Sequence, residues 1–93
     1  MSISFVPSLI PVESGVEPDI YIGERVKLDK TYINLYVETP EVRISVARRW
    51  FPVLREAAQR ANGPRRLHVG DRDIDLSRAA LTRLANLLEH TLC

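Results

Sequence analysis

The stretch RRLHVGDRDIDLSRAALTRLANLLEHTL, residues 65–92, contains a whole structural recipe. Leu67 and Val69 alternate with polar neighbours, and Ile74 and Leu76 do the same, as in two half-buried strands. Gly70-Asp71 between them supplies a tight turn. Ser77 then stands where a helix N-cap is needed, and Leu81, Leu84, Ala85, Leu88 and Leu92 recur at helical spacing. The spacing predicts strands over 65–69 and 72–76 and a helix over 77–91.

The preceding stretch echoes this one at a shift of 32 positions. Leu67 falls on Leu35, Val69 on Val37, Asp73 on Glu41, Ile74 on Val42, Leu76 on Ile44 and Ser77 on Ser45. The echo predicts a hairpin of strands 32–38 and 41–45 joined at Thr39-Pro40, then a helix over 46–62 capped by Ser45. Trp50, Val53, Leu54, Ala57 and Ala61 form its apolar stripe, and Asn62-Gly63-Pro64 ends it on a left-handed glycine. Pro52 conflicts with an unbroken helix, because a proline inside one costs about 3 kcal/mol. A kink or break is therefore expected at residues 49–52, or a helix that starts with Pro52 in its first turn.

Upstream, DIYIGERVKL reads as a further strand over 20–26. Residues 1–19, with Pro7, Pro11 and Pro18, cannot form a helix. They are expected to be an extended arm, strand-like where Ile3 and Phe5 alternate with Ser2 and Ser4, lying on its own domain or crossing to a partner. The expected fold is α+β: residues 20–93 form one domain of two ββα-like units, with an antiparallel sheet of four to five strands and both helices on one face. Its expected core is Ile33, Leu35, Val37, Val42, Ile44, Trp50, Leu54, Leu67, Val69, Ile74, Leu76, Leu81, Leu84 and Leu88.

The aspartates of this stretch form no metal loop. Asp73 and Asp75 alternate with Ile74 and Leu76 and so line the solvent face of a strand. Counted as a calcium loop from Asp71, the chain puts Leu76 where glycine is required and Thr82 where a bidentate glutamate is required. No nucleophile elbow, phosphate-binding loop, dinucleotide fingerprint or CxxC pair occurs. His68 lies on a strand, and His90 complements the dipole of the last helix. No catalytic, cofactor-binding or metal-ligating residue is expected, and no cofactor.

A chain of 93 residues with one cysteine, Cys93, cannot carry an internal disulfide framework. The first residues lack a basic segment and are interrupted by Pro7 and Pro11, unlike a secretory signal. No run approaches the roughly 20 apolar residues of a membrane span. A cytoplasmic protein without membrane contact is expected. The preference for Arg and Ala over Lys suggests a bacterial or phage genome rich in GC.

Charge is unevenly spread within a net of +1. Residues 1–41 hold seven acids and three bases, whereas residues 42–66 hold seven arginines and one acid, Glu56. Trp50 and Phe51 sit within this basic block. Arginine and aromatic residues anchor interfaces, so Arg43, Arg48, Arg49, Trp50, Phe51, Arg55, Arg65 and Arg66 are the candidate partner-binding residues. Their bland alternatives are pairing of the arginines with the acids of residues 13–41 and burial of both aromatics in the core. The expected function is a non-catalytic protein-binding module, an inhibitor or accessory protein of a phage or mobile element acting by surface occlusion. Nucleic-acid binding through the same arginines is the alternative. A third reading is a homo-oligomeric structural protein, a dimer exchanging its N-terminal arm.

Overall fold

A computed structural model of the chain describes residues 5–93. Its elements in order are β1 (Ser8–Pro11), β2 (Asp19–Lys27), β3 (Lys30–Glu38), β4 (Arg43–Ala47), a 3-10 turn (Arg48–Trp50), α1 (Phe51–Arg60), β5 (Arg65–Val69), β6 (Arg72–Leu76) and α2 (Arg78–Leu92). The α+β class is as expected, but the strands do not form one sheet. They form two antiparallel three-stranded sheets, ordered β1-β5-β6 and β2-β3-β4. Each hairpin that precedes a helix takes its third strand from upstream: β2 joins β3, and β1 joins β5. The two ββα units thus remain separate sheets that share a core rather than an edge.

That core is continuous across both sheets and both helices. Leu35, Val37, Ile44 and Val46 come from one sheet, Leu67, Val69, Ile74 and Leu76 from the other, and Phe51, Leu54, Leu81, Leu84 and Leu88 from the helices. Each fully buried aliphatic or aromatic side chain contributes roughly 1.5–3 kcal/mol. Ile33, Val42 and Trp50 pack against this cluster while staying partly exposed. The cluster also holds Val46, Phe51, Ala58, Ala80 and Ala85, which were not among the expected core residues.

Residues 8–11 are extended as expected and lie on their own domain, Leu9 facing Leu67 across the β1–β5 ladder. Val16 then forms a parallel bridge to β6, donating to the Asp75 carbonyl at 2.8 Å and accepting from the Ser77 amide at 2.9 Å. Gly15 makes this close approach feasible, since a Cβ there would stand 2.3 Å from the Leu76 carbonyl carbon. Of the strand-like alternation expected at the very N-terminus, residues 2–4 fall outside the described residues.

The largest correction concerns residues 45–52. Ser45 is not a helix cap; it lies inside β4, which runs on to Ala47. A 3-10 turn follows, and α1 begins at Phe51 with Pro52 in its first turn, where the missing N–H costs nothing. The break expected at 49–52 is therefore present, and the helix expected over 46–62 is shorter at both ends. It stops at Arg60, with Ala61 already extended, and Gly63 does not adopt the left-handed backbone expected of it.

The hairpin registers explain the error. Val37 faces Ile44, and Leu67 faces Ile74, a shift of 30 rather than 32. Side chains on a strand alternate with period two, so a slip of two residues leaves the apolar match intact. At the true shift, Ser77 corresponds to Ala47, the residue before the 3-10 turn, which forms no side-chain cap.

Candidate interaction surface

The seven arginines of residues 42–66 do not form one patch. Arg55 lies between the helices and pairs with Glu89 at 3.1 Å. Arg60 pairs with Glu56 one turn earlier. Arg66 faces Asp75 across the β5–β6 ladder and binds both carboxylate oxygens, at 2.7 and 3.3 Å, which pushes its high pKa higher still. His68 is held likewise against Asp73, so both aspartates of β6 are engaged by cross-strand partners. Arg65 reaches the Asn62 side chain at 3.3 Å. Among the described residues, the ion pairs of these arginines are to Glu56, Asp75 and Glu89, and not to the acids of residues 13–41.

The two aromatics also separate. Phe51 has no exposed surface and belongs to the core. Trp50 is half-buried, with the Arg49 guanidinium 5.4 Å from its ring centroid. Arg48 and Arg49 are exposed beside Thr31, Tyr32 and Asn34.

Arg43 leads to a different place. On the outer face of β2-β3-β4 the Tyr21 and Tyr36 rings stack, centroids 5.3 Å apart. The Arg43 guanidinium also lies over the Tyr36 ring, 4.2 Å from its centroid. Gly23 leaves room for this stack, because a Cβ there would lie 2.6 Å from the Tyr36 ring. The Tyr21 hydroxyl donates to Glu38 at 3.1 Å. Burial, then the Glu38 hydrogen bond and charge, push the Tyr21 phenol above the ordinary tyrosine range, with Arg43 opposing.

This stack forms a shelf whose Tyr36 and Arg43 line one wall of a groove of about 570 Å³, and the β5–β6 turn lines the other. Arg72 reaches across from that turn and donates to the Arg43 carbonyl at 2.9 Å. Arg25 comes from β2, Asn34, Ser45 and Phe5 also line the groove, and Glu24 and Asp71 supply the acids. None of the three guanidiniums has a carboxylate ion pair among the described residues. Of the candidate residues only Arg43 lines this groove. Arg25 and Arg72 stand 18 and 29 positions from it in sequence, and only the packing of two sheets brings all three together.

Above the groove the β2–β3 hairpin outruns β4. β4 pairs with β3 only from Asn34 to Glu38, so Glu24–Lys27 and Lys30–Ile33 continue as a two-stranded ribbon. Four further cross-strand rows extend it by about 13 Å, at roughly 3.3 Å per residue. Leu28 and Asp29 close it, both with positive φ, 53° and 62°. Leu28 is 87% exposed and Val26 70%, with Tyr32 also exposed and Arg25, Lys27 and Lys30 around them.

No family model matches this sequence, and neither a curated protein nor a solved structure shows significant similarity to it. No helix among the described residues is long and apolar enough to cross a membrane.

Proposed function

We propose that this protein is a small non-catalytic binding module that covers part of the surface of a protein partner, with the β2–β3 ribbon as its anchor. The observation that carries this reading is Leu28. A leucine in the left-handed region costs roughly 1–2 kcal/mol, and a two-residue hairpin turn of this kind favours Asn-Gly or Asp-Gly. Here the strained position also holds the most exposed large apolar side chain described, at the apex of a projecting ribbon. Backbone strain clusters at functional sites, and here it coincides with an unburied apolar group. Val26 and Tyr32 extend the apolar contact, and the surrounding cations give it a polar rim.

The reading keeps the protein in the cytoplasm, consistent with its single cysteine, and makes it an inhibitor or accessory factor rather than an enzyme. The test is a photo-crosslinking amino acid introduced at position 28 and, as a control, at the exposed Val53 of α1. The expected result in host cells is a discrete protein adduct from position 28 that position 53 does not give. Equal adducts from both positions, or a nucleic-acid adduct from position 28, would refute the reading.

A further inference from the structure

We infer that the groove between the Tyr21–Tyr36 shelf and the β5–β6 turn receives an extended acidic segment of the partner protein, whose carboxylates are bound by Arg43, Arg72 and Arg25. The inference rests on the protein-binding reading above.

Three features single out this ligand. The first is the supply of unused donors. Elsewhere on the molecule Arg55, Arg60 and Arg66 are paired with carboxylates, whereas among the described residues the three guanidiniums of the groove are not. A guanidinium presents its N–H donors in a rigid planar fork that matches a carboxylate. The second is preorganisation. The Arg43 guanidinium is seated over the Tyr36 ring, and Arg72 donates through one nitrogen to the Arg43 carbonyl. Little side-chain freedom remains to be lost on binding. The third is the uncharged polar lining. Asn34 and Ser45 can both donate and accept, as a peptide backbone requires.

The same groove suits a nucleic acid poorly. Binding of single strands combines a continuous cationic track with free aromatic faces on which bases stack. Here Tyr36 is only 9% exposed, with the Tyr21 ring and the Arg43 guanidinium both packed on its ring. Glu24 and Asp71 interrupt the cationic lining, and a peptide, unlike a phosphate chain, carries backbone N–H donors that can meet them.

The experiment uses the full-length ¹⁵N-labelled protein, titrated separately with a decaglutamate peptide and a ten-nucleotide oligothymidine. Decaglutamate should shift the amides of Asn34, Ser45 and Arg72 and bind more tightly than the oligonucleotide. Arg43→Lys keeps the charge but loses the planar fork, and should weaken peptide binding about tenfold, equivalent to about 1.4 kcal/mol. Arg60→Ala removes a charge outside the groove and should change binding by less than about twofold, in line with the small contribution of an exposed ion pair. Spectra of both variants report whether the fold is retained.

Absence of peptide binding, shifts scattered over the surface, indifference to Arg43→Lys, or tighter binding of the oligonucleotide would each overturn the groove assignment. If the position-28 crosslink survives such a result, the groove assignment alone falls. If the crosslink fails while the peptide binds the groove, the role of the ribbon is what falls.

Discussion

Gly23 and Tyr36 lie diagonally across the β2–β3 ladder, and the tyrosine ring occupies the space that a side chain at position 23 would need. A Cβ built there comes within 2.6 Å of the ring. The ring cannot swing away freely, because Tyr21 and Arg43 both pack on it and it is nearly buried. Overpacking of this kind costs about 1–3 kcal/mol, while Gly→Ala in a strand recovers about 0.5–1 kcal/mol. Gly23→Ala is therefore expected to destabilise the protein by about 1 kcal/mol in urea titration. It should also weaken the near-ultraviolet dichroism of the stacked tyrosines, whereas an unchanged signal would show that the shelf does not depend on Gly23.

How much of this was legible in the sequence can be followed through individual residues. Strands β5 and β6 and the cap at Ser77 were readable because alternation, turn and cap all agree locally. The break at Pro52 was readable because proline restricts its own backbone. Val46 was missed as a core residue because Ser45 suggested an early helix start and took it off the strand period, and Phe51 because the expected stripe ran through Trp50 and Val53 rather than Phe51 and Ala58. The division into two sheets was hidden because alternation says which face of a strand is buried, and nothing about which strand lies beside it. The groove was hidden for the same reason: a count of charge along the chain finds Arg43 in the basic block but cannot join it to Arg25 or Arg72. Leu28-Asp29 contains neither glycine nor asparagine, and a lone Asp is a weak turn signal, so the ribbon's apex was hard to see.

The strain at that apex predicts a trade between stability and binding. Leu28→Asn combined with Asp29→Gly provides the residues that a turn with two positive φ angles prefers. The double variant should be more stable by about 1 kcal/mol, a rise in Tm of roughly 4–8 °C for a domain of this size. It should lose partner binding at the same time. A rise in Tm with partner binding unchanged would make Leu28 a tolerated irregularity and remove it from the interface.

Tyr21 offers a prediction in pH. Its phenol is raised above the usual range by burial and by Glu38. A raised acid pKa means that the folded state holds the proton more tightly than the unfolded chain. The associated stability is fully present below the ordinary tyrosine pKa of about 10 and is lost as pH rises through the folded value. Phenolate absorbance should show one tyrosine ionising late, and Tyr21→Phe should remove that late step. Glu38→Gln deletes the carboxylate charge and should bring the step to lower pH. A late step that persists in Tyr21→Phe would assign the shift to another tyrosine.

The two serines that look alike in sequence separate most sharply in their energetics. Ser77 accepts a hydrogen bond from the Ala80 amide at 3.1 Å and has the extended backbone of an N-cap, whereas Ser45 sits exposed within β4. Ser77→Ala should cost about 1 kcal/mol, and Ser45→Ala should stay within about 0.5 kcal/mol of the parent. α2 has no acid in its first turn, so Ser77→Asp should retain the cap and add a favourable charge at the helix N-terminus. The residue equivalent to Ser77 by register is Ala47, which precedes the 3-10 turn with extended backbone and no capping side chain. Ala47→Ser should therefore be stabilising, by up to about 1 kcal/mol. Chemical denaturation of the four variants checks this directly: a loss at Ser45 equal to that at Ser77 would restore the 32-residue alignment and contradict the register of β3 with β4.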